Sequence, residues 1–170
     1  MNPAEMEKLH SVCSLLAGQK LPRWNDLPDL DLYMDQLLSL VARYLKGYPG
    51  LDEKGLTASM VNNYVKLGLI PSPEKKKYKR HHLANLMMIL LLKPVLPIGT
   101  VRQMIDDQLA AGSSYEDLYG HFCDLFEATN SAAAENAANL AGETLTESVL
   151  AAALRAQAEQ AIAVSLYEST

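Results

Sequence analysis

The sequence predicts an all-α chain interrupted by one small β-wing, and three observations carry that prediction. Aromatic residues make up only 6% of a chain rich in alanine, a balance that favours helices over strands. Apolar residues recur at helical spacing in successive stretches. The cleanest of these is Met34, Leu37, Leu38, Val41, Tyr44 and Leu45, at i, i+3, i+4, i+7, i+10 and i+11. Between two such stretches lies Pro71 to Tyr78, PSPEKKKY, where prolines forbid a helix. This segment is expected to form a two-stranded wing, although no Asn-Gly or Asp-Gly marks its tip.

Residues 4 to 17 read as a modest amphipathic helix, with Leu9, Val12, Leu15 and Leu16 on one face and Gly18 as its stop. His10 and Cys13 are too few for a metal site and are read as packing residues. Residues 19 to 29 form a connector punctuated by Pro22 and Pro28. Trp24 and Leu27 strap it onto the core, a reading preferred to a ligand platform. Asp29 or Asp31 is expected to cap the helix that starts near Met34, and Gly47, Pro49 and Gly50 to end it. A turn from Gly47 to Leu56 follows, with a short extra turn around Leu51 to Lys54.

Residues 58 to 67 form the next helix, with Thr57 or Ser59 as its cap. Val61, Tyr64 and Val65 make its buried stripe, while Gly68, Pro71 and Pro73 stop it. Asn62, Asn63 and Lys66 lie beside that stripe. Lys75, Lys76, Lys77, Lys79 and Arg80 come at once after it. Amides that can pair with base edges, followed by cations that neutralise phosphates, are the groups a DNA-reading unit needs. A solvated basic loop is the plainer reading of the same lysines. His81 and His82 adjoin the cluster but point to different helix faces, which argues against a shared metal.

Residues 82 to 92 are apolar almost all round, as suits a central core helix. Lys93-Pro94 breaks it, and a further helix from about Thr100 turns Val101, Met104, Ile105 and Leu109 inward. Gly112-Ser113-Ser114 marks a boundary. Beyond it, Tyr115, Leu118, Tyr119, Phe122, Leu125 and Phe126 form another stripe. Residues 128 to 163 contain fourteen alanines and few large side chains. A C-terminal helical hairpin that buries its stripe against a second subunit is therefore expected, with folding back on the first domain as the alternative. The domains so read are 1–28, a helix and connector; 29–112, the DNA-reading core; and 113–170, the dimerisation region.

The run YVKLGLIP, then KKKYKRHHLANL, then LPIGTVRQMI, resembles the winged helix-turn-helix of the MerR family. With WNDLPDLDLYMDQ upstream, residues 24 to 110 are most similar to a bacterial family, domain of unknown function 1836, with a MerR-like core. The resemblance makes Asn63 and Tyr64 the aromatic-pair positions of a recognition helix and Tyr78 the wing tyrosine. Asn62 and Lys76 stand where MerR proteins carry arginines. It implies a sequence-specific transcriptional regulator contacting duplex DNA through Thr57, Ser59, Asn62, Asn63, Tyr64, Lys66, Lys75, Lys76, Lys77, Tyr78, Lys79 and Arg80. An interaction module on the same winged scaffold is the second reading.

Charge is unevenly spread. The formal total is −5, yet residues 62 to 82 hold six Lys/Arg against one Glu, so the acidic total does not count against a polyanion at the wing. No Gly-rich phosphate loop, GxSxG, HExxH or CxxC is present, so no enzyme is expected, and no cofactor or metal. Cys13 and Cys123 fit a reduced cytoplasm. The longest apolar run, Leu86 to Leu92, falls far short of the roughly 20 residues that span a bilayer.

Overall fold

Nine consecutive residues, His82 to Leu90, are buried, and the helix that carries them is the axis of the larger unit. The computed structural model describes residues 1–48, 55–138 and 144–168. Its helices are α1 (Pro3–Ala17), α2 (Met34–Tyr44), α3 (Ala58–Lys66), α4 (Arg80–Leu92), α5 (Ile98–Ala110), α6 (Tyr115–Ala138) and α7 (Leu145–Glu168), with a 3-10 turn at Trp24–Asp26. The chain forms two compact units, one of Leu21–Cys123 and one of Met1–Lys20 with Asp124–Thr170.

In the Leu21–Cys123 unit, α4 packs against α2 and α5, and α2 packs against α3. The periodic apolar positions build that core. Leu37 and Val41 of α2, Val61 of α3, Leu83, Leu86, Met87 and Ile89 of α4, and Val101 of α5 are all withdrawn from solvent. Removing such side chains from water is the main favourable term for a helical unit of this size. The start of α3 follows the capping rule, with Thr57 Oγ1 accepting from Met60 N at 3.3 Å. Its end does too. Gly68 adopts φ +68°, and Leu69 N reaches back to the Tyr64 carbonyl at 2.8 Å. The start of α2 differs from expectation. Tyr33 is its N-cap residue, and its backbone N–H donates to Gln36 Oε1 at 2.9 Å, so neither Asp29 nor Asp31 caps it. Of the expected turn after α2, residues 49–54 lie outside the described residues.

The wing is a correction. Among the described residues there is no β-strand, only the isolated antiparallel bridges Glu74–Lys77 and Leu32–Tyr78. Two causes stop a hairpin. Pro71 and Pro73 have no N–H to donate to a ladder. Tyr78, at the end of the other arm, spends its backbone on the connector instead, exchanging two 2.8 Å hydrogen bonds with Leu32. What remains is a tight turn whose two central residues, Lys75 (φ 50°) and Lys76 (φ 65°), are both left-handed. The described chain is therefore all-α without a wing. The MerR-like winged helix-turn-helix core, and the interaction module built on that scaffold, are not present in it.

In the other unit, α1 opens with a reciprocal cap. Asn2 Oδ1 accepts from Glu5 N at 2.9 Å, and Glu5 Oε2 accepts from Asn2 N at 2.8 Å. Thr144 and Glu147 repeat the device at the head of α7. Residues 139–143, between the helices of the expected hairpin, lie outside the described residues. Asn130, Ala134 and Ser148 are buried, while Val149, Leu150, Leu154 and Ile162 of α7 are exposed.

Candidate functional site

The twelve residues assigned to DNA contact are distributed over two elements with different surroundings. On α3, Ser59, Asn62, Asn63 and Lys66 are exposed, but Tyr64 is buried against the core. In the turn, Lys75 and Lys76 face solvent and have no ion pair among the described residues, whereas Tyr78 is buried. The Tyr78 ring sets its edge on His82, with centroids 5.3 Å apart.

The remaining cations are matched by the protein's own carboxylates. Lys77 Nζ lies 3.3 Å from Asp31, Lys79 Nζ 2.8 Å from Glu74, and Arg80 Nη2 3.8 Å from Asp29. The basic excess of five counted along residues 62 to 82 is thus reduced in space to three by Asp29 and Asp31, which lie outside that window. With no wing, and three of its cations already paired within the chain, no DNA-contacting motif forms among the described residues. The double-stranded DNA partner and the regulator reading are withdrawn. The expected homodimer, in which the C-terminal helical stripe is buried against a second subunit, belongs to the same set of partners and is withdrawn with them.

The same pairing creates a cleft of about 520 Å³, lined by Trp24, Asp29, Leu30, Asp31, Lys79, Arg80 and His81. Its walls come from the connector before α2 and the first turn of α4. The Leu32–Tyr78 bridge holds the two together. Arg80 is its least satisfied group. The guanidinium sits over the Trp24 ring, 5.4 Å from the centroid, and its side chain is only 17% exposed. Among the described residues, Nε is buried with no hydrogen-bond partner, and the one ion pair, to Asp29, is long. The Asp29 side chain is 88% exposed, so water competes for it at little cost.

Lys79 is occupied, since its ammonium hydrogen-bonds Glu74 and holds that carboxyl below the usual carboxylate range. His81 is half-buried and stacked on Tyr115, centroids 5.1 Å apart. Burial, and then the nearby Lys79 charge, push its pKa down. His82 lies behind it, its Nδ1 accepting from Lys79 N at 2.8 Å, and burial lowers its pKa to about 4. Both rings therefore stay neutral at pH 7, and Arg80 is the cleft's under-neutralised cation.

Sequence reasoning did not find this cleft. Trp24 reads as a strap, and its ring does stand 6.4 Å from the buried Tyr119, but it also forms a wall of the cleft. Asp29 and Asp31 read as helix caps, and nothing local in DLD marks them as partners of a KRH segment far along the chain. Opposite charges on segments later joined by a bridge were the available signal. Among the described residues, no three His, Cys, Asp or Glu side chains gather as metal ligands. No described helix is long and apolar enough to cross a membrane.

Comparison with curated proteins and with solved structures gives no match. One family model does match, over residues 22–122, and that span coincides with the compact Leu21–Cys123 unit holding both the cleft and the core of α4. The chain belongs to the family described as Domain of unknown function (DUF1836).

Proposed function

We propose that the DUF1836 unit is a non-catalytic ligand-binding domain that takes an anionic group on Arg80 in the Trp24 cleft. The observation that carries this is the state of the guanidinium: mostly withdrawn from water, placed over an indole and, among the described residues, left with one nitrogen unpaired and answered by a single exposed carboxylate 3.8 Å away. A buried unpaired donor costs stability on the order of 1–3 kcal/mol, so its retention calls for a purpose. Arginine also offers a planar fork that matches a carboxylate or phosphate. The lining includes no hydroxyl or thiol nucleophile, and its one imidazole is stacked and neutral. This supports binding rather than turnover. Among the described residues neither Cys13 nor Cys123 forms a disulfide, which supports a cytoplasmic setting.

The chain contains a single tryptophan, and it lines the cleft, so its emission reports occupancy directly. Titrating the full chain with acetate and with inorganic phosphate at constant ionic strength should give a saturable change in Trp24 fluorescence, and Arg80→Gln should abolish it. A response retained in Arg80→Gln would overturn the proposal, as would the absence of a saturable response both to these simple anions and to carboxylates that also carry an ammonium.

A further inference from the structure

Resting on that reading, we infer that the ligand is a zwitterion, a free α-amino acid with an apolar side chain. Arg80 and Asp29 line the same cleft and face each other at 3.8 Å. A ligand anion reaching Arg80 must displace the Asp29 carboxylate. A simple anion would then leave Asp29 without its cation and close to a second negative charge, a repulsive arrangement in a partly enclosed cleft. A simple cation at Asp29 would strip Arg80, which has no other ion pair among the described residues. A zwitterion avoids both losses. Its carboxylate takes the guanidinium, its ammonium takes the released Asp29, and one long ion pair becomes two.

The spacing narrows the class. Two protein charges less than 4 Å apart need ligand charges on neighbouring atoms. An α-amino acid, whose ammonium and carboxylate share one carbon, meets that requirement. The two ends of a peptide do not. Asp31 is held by Lys77 at 3.3 Å and Lys79 by Glu74 at 2.8 Å, so neither competes for the ligand's charges. Leu30, 57% exposed on the same lining, provides the apolar wall against which a side chain can leave water. A volume of about 520 Å³ accommodates such a molecule with room for bound water.

The test compares leucine with N-acetylleucine, which lacks the ammonium and imitates a peptide carboxyl end, and with leucinamide, which lacks the carboxylate and imitates an amino end. Each is titrated into the full chain at pH 7 and read by Trp24 emission. Leucine should bind about tenfold or more tightly than either analogue, the worth of one charge-assisted hydrogen bond. Asp29→Asn should reduce leucine to the affinity of N-acetylleucine while leaving N-acetylleucine no weaker. N-acetylleucine binding as tightly as leucine, with both lost in Arg80→Gln, would overturn the zwitterion inference and leave the anion reading standing. Leucine binding that Asp29→Asn does not weaken would also overturn it. Failure of acetate, phosphate and all three leucine compounds to give an Arg80-dependent signal would remove the anion reading itself.

Discussion

The Tyr119 hydroxyl donates a 3.0 Å hydrogen bond to the Pro22 carbonyl, tying the first turns of α6 to the connector before the 3-10 turn. The ring is fully buried, its hydroxyl lies 3.7 Å from Met87 Sδ, and burial raises its pKa. The bond explains why the compact unit, like the family match, runs past Gly112-Ser113-Ser114 into α6. That boundary changes composition without ending the core.

Tyr119→Phe should therefore destabilise the Leu21–Cys123 unit by about 1 kcal/mol, because the phenyl ring keeps its volume while the Pro22 carbonyl loses its main donor. The cost stays at the low end because Cys123 Sγ, 3.9 Å away, remains near the same oxygen. Urea unfolding followed by Trp24 emission checks this, since the indole stands beside Tyr119 and belongs to that unit. A midpoint unchanged from wild type would show that the bond contributes nothing net.

His82 makes stability depend on pH. Its folded pKa of about 4 lies below the ordinary 6.5, so the folded state favours the neutral ring. That contribution is fully present above about pH 6.5 and is lost progressively as pH falls from there to about 4. The whole effect amounts to about 3 kcal/mol. His82→Gln keeps an acceptor for the Lys79 N–H in the manner of a capping box, yet cannot titrate. The unfolding free energy of the His82→Gln variant should fall less steeply between pH 6.5 and 4 than that of wild type. Parallel curves would exclude His82 as the source.

The elements that the sequence announced are those whose signals are local. The stripe of α2, the Thr57 cap and Gly68 stop of α3, and the all-round apolar α4 each follow from residues within a turn or two of one another. The wing misled because lysines were counted along the chain. Asp29 and Asp31 oppose Arg80 and Lys77 only after Leu32 has bridged to Tyr78, a long-range pairing that no periodicity reveals. Pro71 and Pro73 are helix stops by sequence, and they act as strand stops as well. The cleft was illegible for the same reason, since each wall alone looks like ordinary charged surface.

The turn that replaces the wing should be improvable. Lys75 and Lys76 both hold positive φ, a conformation that costs roughly 1–2 kcal/mol for an ordinary side chain and little for Asn or Gly. Lys75→Asn with Lys76→Gly supplies the pair such two-residue turns prefer. Neither lysine has an ion pair among the described residues, so no attraction is forfeited. The double variant should unfold at a higher temperature by a few degrees, roughly 1–2 kcal/mol of added stability. An unaltered or lower Tm would show that the turn is not strained.

Gly68 combines two constraints that a mutant cycle can separate. Its φ of +68° disfavours any side chain, and a Cβ there would stand 3.2 Å from the guanidinium of Arg102. That guanidinium donates to the Leu67 carbonyl at 2.8 Å, satisfying an acceptor at the C-terminal end of α3, and pairs with Asp106 at 3.2 Å. Gly68→Ala should cost roughly 1–2 kcal/mol from backbone conformation alone. Any excess arises from displacing Arg102 off the Leu67 carbonyl. In an Arg102→Ala background that excess has nothing to act on, so Gly68→Ala should then cost only the backbone part. The coupling between the two substitutions measures the contact. Equal costs of Gly68→Ala in both backgrounds would show that Arg102 yields freely, leaving the left-handed backbone as the whole reason for glycine at this helix end.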